Sequence, residues 1–404
     1  MRTTTLGELV DEAGGIVQTG PFGSQLHAHD YSNSGVAVVM PQNIRNGRLD
    51  HSSIAHVTTG RASGLSRHTL QAGDIVYSRR GDVEKCALVL EPDLPAMCGT
   101  GSLLVRVPKS HFADSTFLAY LLQTDEVRKW VRGHAVGATM LNLNTQILRE
   151  VPLVLPPLPE QQAIADVLGA LDDKIAANRA LVATSLELVG AHHRHIKSGG
   201  VCTRTAFTDV AEIGGGATPS TKVDAYWEGD IPWAAPSDIT ALPAPYLEDT
   251  PRKITKAGLT ACSSPLYPVG SILMTSRATI GAFAIAQVPT AVNQGFIVVQ
   301  PHDPTLRWWL LAEMQQRVPE FVAMANGATF LELPRKAFRK MSFALPENAA
   351  LQHFDSLAGP LHATSSSALR ESSTLAALRD TLLPALMDGT LRVKDAEKTV
   401  SEAL

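Results

Sequence analysis

The sequence predicts an α+β protein written twice: two α/β blocks in tandem, each followed by a long helix, the helices paired as an antiparallel coiled coil within a pseudo-two-fold internal repeat. Three observations carry that expectation. Gly137-Ala138-Thr139 returns as Gly327-Ala328-Thr329, and Leu155-Pro156 as Leu345-Pro346, both at a shift of 190 residues. Short β-branched runs, punctuated by Gly, Pro and Asn, come in the same order in each half. Each half then closes on apolar positions spaced alternately four and three apart, the period of a helix-pairing seam. Self-similarity at a fixed shift is the mark of a duplicated unit.

The first block, residues 1–157, has strand-like runs at 36–40, 74–78, 86–90 and 103–107. A helix follows, capped by Asp114 or Ser115, with Phe117, Leu118, Leu121, Leu122, Val127, Trp130 and Val131 as its apolar stripe before Gly133. The second block, 200–345, repeats this with strands at 271–275, 283–286 and 296–300 and a helix over 304–325. Further matches tie the blocks together: Met40-Pro41-Gln42-Asn43-Ile44 aligns with Ala235-Pro236-Ser237-Asp238-Ile239, and Gly73-Asp74-Ile75 with Gly270-Ser271-Ile272. The shift drifts from 197 to 190 along the chain, so the second copy has lost a few loop residues, a change that surface loops tolerate.

Pro156-Pro157-Leu158-Pro159 stops the last strand of the first block and presets a helix start. From there, over 158–199, Ile164, Leu168, Leu171, Ile175, Asn178, Val182, Ser185 and Val189 form a seam. Through His195 the helix is roughly 37 residues, on the order of 55 Å long. His192, His193, Arg194, His195 and Lys197 crowd its end, where cations offset the helix dipole. Shifted by 190, the seam becomes Phe354, Ala358, Leu361, Ser365, Ala368, Ser372, Leu375 and Arg379, which places a partner helix over 346–388 and leaves 389–404 as a tail. Asn178, Ser365 and Ser372 weaken such a seam but fix its register. The plainer alternative is two amphipathic helices, each packed on its own block.

Composition narrows the function. With 45% hydrophobic residues each block has a full core, and a formal charge of −4 supplies no global attraction for nucleic acid, so any such contact depends on local Lys and Arg. Cys86, Cys98, Cys202 and Cys262 match neither a zinc-ligand spacing nor a disulfide framework, which fits a reducing cytoplasm. Neither a signal peptide nor an 18-residue apolar run is present, so the expectation is a soluble cytoplasmic chain without a membrane partner.

The segment Leu155-Pro156-Pro157-Leu158-Pro159-Glu160-Gln161-Gln162-Ala163-Ile164, continuing to Leu171-Asp172-Asp173-Lys174-Ile175, closely resembles the specificity subunits of type I restriction-modification systems. So does Gly216-Ala217-Thr218-Pro219-Ser220, followed by Tyr226-Trp227 and Gly229-Asp230-Ile231-Pro232-Trp233. The resemblance spans both halves. It departs in the first copy, where Thr19-Gly20-Pro21-Phe22-Gly23-Ser24 replaces the Thr-Pro-Ser opening, and in the second helix, which begins Pro346-Glu347-Asn348-Ala349.

The resemblance implies two target-recognition domains, each reading one part of a bipartite, asymmetric sequence in double-stranded DNA, and a helix pair that sets their spacing. It implies a chain that holds no catalytic residue, metal or cofactor. Two copies of a DNA adenine methyltransferase subunit using S-adenosylmethionine would be its partners, joined in some systems by restriction subunits using ATP and magnesium. Glu160, Gln161, Gln162, Asp172 and Lys174 are the residues it assigns to partner docking.

Residue chemistry supplies candidate DNA contacts. In the first block Gln18, Ser24, Gln25, Gln42, Asn43, Arg45, Asn46 and Arg48 fall in two Gly-punctuated stretches, and Gln or Asn pairs with adenine edges as Arg does with guanine. Arg79 and Arg80 are placed to hold phosphates. In the second block Thr218, Ser220 and Lys222 lie in a Gly-rich loop, Ser237 matches Gln42, Arg277 matches Arg80, and Lys336 adds charge. Arg80 and Arg277 are the preferred pair, each just past a strand at an equivalent position. Solvated arginines, turn-forming asparagines and an ion pair at a strand end are the plain alternatives.

Enzyme motifs are missing. Gly214-Gly215-Gly216-Ala217-Thr218-Pro219-Ser220-Thr221-Lys222 lacks the Gly-Lys-Ser/Thr ending of a phosphate loop, and adjacent histidines on a helix face different ways, so 192–195 is no metal site. The one Pro-Pro, at 156–157, is flanked by leucines and cannot be a methyltransferase Asn-Pro-Pro-Tyr motif. The competing functional reading is a duplicated scaffold or ligand-binding protein that never meets DNA, supported by the weak net charge. An enzyme with an unrecognised site is the remaining one.

Overall fold

A computed structural model describes residues 1–404 apart from Ser24, Ser263 and 328–330. The chain forms two compact units: Met1–Ile175 with Ser373–Leu404, and Ala176–Ser372. These borders differ from the expected ones, because each long helix gives residues to both units and neither helix is a separate segment.

In the first unit an antiparallel sheet runs in the order Ile16–Thr19, Ser102–Arg106, Ile75–Ser78, Cys86–Leu88. Its two central strands are buried on both faces because both are covered. Ile75, Tyr77, Leu103 and Val105 point into a core shared with helices, while Val76 and Leu104 meet a second sheet of Ala96–Cys98, Val36–Val39, Ala55–Val57 and Tyr31–Ser32. Each such buried side chain contributes roughly 1.5–3 kcal/mol relative to exposure. Arg2–Thr5 pairs with Pro152–Leu155 and ties the start of the block to its end.

The second unit rebuilds this sheet as Ala211–Gly214, Phe296–Pro301, Ile272–Thr275, Phe283–Ala286, and adds Tyr246–Leu247 in parallel at the edge. Ile272, Met274, Ile297 and Val299 take the helix side and Leu273 and Val298 the other. Cys202–Ala206 with Ser342–Pro346 repeats the closing pair.

The two predicted domain helices are broken. The first is Ser115–Leu121 followed by Asp125–His134, with Asp114 accepting from Phe117 N at 2.9 Å as the N-cap. The second is Arg307–Gln316 followed by Val318–Ala323. Pro319 explains the second break, since its ring and missing N–H fit the first turn of a helix but not the interior of one.

The long helices are Leu158–Gly199, 42 residues, and Asn348–Met387, 40 residues. In the first unit Ile164, Leu168, Leu171 and Ile175 share one core with Leu375, Leu382 and Leu386. In the second, Asn178 Nδ2 donates to Ala368 O at 3.2 Å and to Glu371 Oε2 at 2.7 Å, Val182 packs with Ala368, and the His192 ring lies 5.9 Å from that of Phe354. Partner numbers fall as helix numbers rise, so the pairing is antiparallel. The plainer alternative holds as well: the same stripes feed the block cores, with Phe354 edge-on to Trp309 at 5.3 Å and Leu361 half-buried beside it.

Several expectations change. Ser365 and Ser372 donate to carbonyls of their own helix, Leu361 O and Ala368 O, both at 2.7 Å, and so do not reach across the seam as Asn178 and the Asp172–Arg379 pair do. The histidine cluster does not cap a helix end. His193 is fully buried with Nε2 3.3 Å from Glu313 Oε2, and Lys197 Nζ lies 2.8 Å from the same oxygen. The expected tail instead forms a helix, Val393–Ala403, that buries Ala396 and Val400 in the first unit's core.

Candidate nucleic-acid interface

Both units build the same ledge where the strands 75–78 and 272–275 end. In the first, Arg79 N donates to Gly101 O at 2.8 Å, Arg80 bridges Asn142, and Gly81 N donates to Leu141 O at 3.0 Å. Asn142 pairs in turn with Val136 through bonds of 2.8 and 3.0 Å, so 137–141 is a tight hairpin tip. In the second, Ser276 N donates to Gly295 O at 2.7 Å, Arg277 bridges Glu332, and Ala278 N donates to Leu331 O at 3.0 Å. Glu332 pairs with Asn326 at 2.8 and 2.9 Å.

Gly137 and Gly327 have φ of +130° and +131°, and a Cβ on Gly137 would lie 2.2 Å from Met140 O. The Gly-Ala-Thr echo therefore begins on a glycine that the backbone requires. Ala328 and Thr329 lie outside the described residues.

Arg80 is exposed, and among the described residues no carboxylate pairs with it. Arg277 is half-exposed, with its Nη2 2.9 Å from Glu332 Oε1, the strand-end ion pair weighed above. Arg79 is half-buried, its guanidinium 5.5 Å from the ring centroid of Phe22, itself 52% exposed.

The other candidates disperse. Gln18 donates to Arg67 O, a main-chain group distant in sequence, and Gln25 Oε1 accepts from Phe22 N at 3.2 Å within its own loop, so both side chains are spent inside the fold. Asn43 is fully buried, its Oδ1 accepting from Met40 N at 3.0 Å and its Nδ2 donating to Asp50 O at 3.3 Å; it holds a turn and offers nothing to a base. Asp238 repeats that role, accepting from Ala235 N at 2.8 Å. Gln42 and Ser237, beside them, are exposed.

Arg45 pairs with Asp50 at 3.0 Å and Arg48 with Asp173 at 3.2 Å. Thr218 donates to Gln294 Oε1 at 2.6 Å, Ser220 Oγ accepts from Lys222 N at 3.4 Å, and both they and Lys222 and Lys336 are exposed. Ser24 lies outside the described residues.

Two docking expectations are corrected. Gln161 is buried, accepting from Asp114 N at 3.0 Å and donating to Phe112 O and Pro156 O at 2.9 and 2.8 Å. Asp172 is buried between Tyr120 Oη at 2.7 Å and Arg379 Nη1 at 2.6 Å; burial, and then the carboxylate, raise the pKa of that tyrosine. Both residues hold the helix to its own unit. Glu160 and Gln162 face solvent and Lys174 is half-buried.

The chain matches the family described as Type I restriction modification DNA specificity domain twice, over residues 31–184 and 205–355. It belongs to that family. A similar relative is the type I restriction enzyme MjaIX specificity subunit of Methanocaldococcus jannaschii, 35% identical over 37% of each chain. Another is the EcoR124I/EcoR124II specificity subunit of Escherichia coli, 26% identical over 57% of each. The chain thus spans less than two thirds of the length of either relative. The crystal structure of a type I restriction-modification S subunit from M. genitalium shares the fold, with a TM-score of 0.61 over 95% of both chains at 16% identity.

The family's description names a DNA specificity domain, and one match falls in each half of the chain. Among the described residues no helix is long and apolar enough to cross a membrane, and no group of three His, Cys, Asp or Glu is placed to hold a metal ion. Residue chemistry missed the hairpin 137–141, where Val136 and Met140 are 64% and 61% exposed. Its signal was the repeated Gly-Ala-Thr, read above only as evidence of duplication.

Proposed function

We propose that this chain is the non-catalytic specificity subunit of a type I restriction-modification assembly, recognising a bipartite, asymmetric DNA target with one half read by each unit. The observation that carries the reading is the pair of ledges: one backbone construction, bond for bond, bearing different side chains at Asn142 and Glu332. A construction repeated in both units suits a substrate whose two halves share a sugar-phosphate backbone.

The exposed side of the central helix is the partner surface. Glu160 and Gln162 lie at its start, and Leu181 and Leu188, 43% and 49% exposed, stand one heptad apart. Two methyltransferase subunits dock there and use S-adenosylmethionine; where a restriction subunit joins, it uses ATP and magnesium. A DNA-free scaffold has only the weak net charge of −4 in its favour.

The test is to express the chain with a methyltransferase subunit in a host lacking its own modification and to map methylated adenines across the genome. One asymmetric motif in two parts, separated by unspecified bases and lost when this chain is omitted, is expected. Methylation that is unchanged by its omission refutes the proposal.

A further inference from the structure

We infer that the two ledges, at Arg80 and at Arg277, are sequence-independent phosphate clamps and that base reading lies elsewhere on each unit. The inference rests on the DNA-specificity reading. Two units that read different half-sites have to differ wherever they touch base edges. A feature kept to the same backbone bonds in both faces what the half-sites have in common, the sugar-phosphate backbone.

Repetition alone does not make the case, because Asn43 and Asp238 also correspond. Their correspondence is spent inside the fold, each accepting a main-chain N–H three residues back at 3.0 and 2.8 Å. Arg80 has no such employment: its main chain bridges Asn142 while its guanidinium is exposed without a carboxylate among the described residues. Arg277, at the matching ladder position, is held by Glu332 in a pair whose side chains are 42% and 44% exposed. A pair that open to water is worth little, so a phosphate can replace the carboxylate.

Asn142 and Glu332 occupy matching positions, so the first ledge is neutral beside its arginine and the second carries a competing negative charge. The first clamp is therefore the stronger. Glu332→Gln brings the second towards the first.

The experiment uses the full chain assembled with its methyltransferase subunits. Binding to a duplex with the mapped motif and to an unrelated duplex of equal length is titrated from 50 to 200 mM salt, and the methylated motif is mapped again for each variant. Arg80→Ala should weaken both duplexes by the same factor, lower the slope of log affinity against log salt by about 1, and leave the motif unaltered. Arg277→Ala should do the same by less, and Glu332→Gln should tighten both duplexes.

A motif relaxed at one position in Arg80→Ala would mean base readout and overturns the inference. So does a salt slope unchanged in Arg80→Ala. A wild-type assembly that binds the two duplexes alike overturns the specificity reading, and this inference with it.

Discussion

Ala278 sits at φ +60°, where the first unit has Gly81 at φ +75°. An L side chain in that region costs roughly 1–2 kcal/mol, so Ala278→Gly should raise the stability of its unit by about 1 kcal/mol once the looser unfolded glycine is set against it. The urea midpoint reports it. His362 gives a second residue-scale outcome. It stacks on Trp308 at 3.8 Å, its Nδ1 is 2.8 Å from Tyr246 Oη, and burial pushes its pKa down to about 4. The unfolded chain takes up that proton below about pH 6.5 and the folded chain only near 4. Stability is thus full above 6.5 and falls as the pH drops to 4, by up to about 3 kcal/mol. Denaturation curves across that window should show the loss, and His362→Gln should flatten it. At this scale the sequence was legible where a residue acts on its own local backbone, as at Asp114, which caps its helix. It was not legible at Asn43, where base-reading and turn-holding amides have the same composition and only burial separates them.

Among the elements, the last turns of the central helix are fixed by one carboxylate. Glu313, on Arg307–Gln316, is 2% exposed and accepts from Lys197 Nζ at 2.9 and 2.8 Å beside His193. Burial alone would raise its pKa, but the bonds from His193 and Lys197 and the lysine's charge outweigh that and hold the carboxyl below its ordinary value. Lys197→Met leaves that charge to His193 and, at 4.0 Å, Arg317, and should cost about 1–3 kcal/mol, most of it restored by adding Glu313→Gln; a double-mutant cycle in urea measures the coupling. The seam from Ile164 to Val189 was readable because a helix repeats its environment every three to four residues. The His193–Glu313 pairing was not, since the histidines were read as capping the helix end and the partner lies far along the chain. Pro319 was the one printed sign of the break in the second domain helix.

At the scale of the molecule, the first unit is assembled from both ends of the sequence and the second from its middle. A chain ending at Ser372 loses Leu375, Leu382, Leu386, Ala396 and Val400 from the first unit's core and nothing from the second. Hydrogen exchange should then accelerate throughout 1–175 while amides in 202–346 stay protected; equal protection in both would refute the division. Pro156-Pro157-Leu158-Pro159 reads as a border because it ends a strand and starts a helix, and periodicity found that helix without revealing which core each end of it feeds. The same division sets an order of events at the ribosome. The middle unit is complete in the nascent chain once residue 372 has emerged, whereas the unit that begins the sequence must wait for 373–404, on the order of ten seconds or more after its own strands were made. During that interval Leu168 and Leu171 present an unfinished apolar face, and of the two units the one whose strands are made first is the later to be completed.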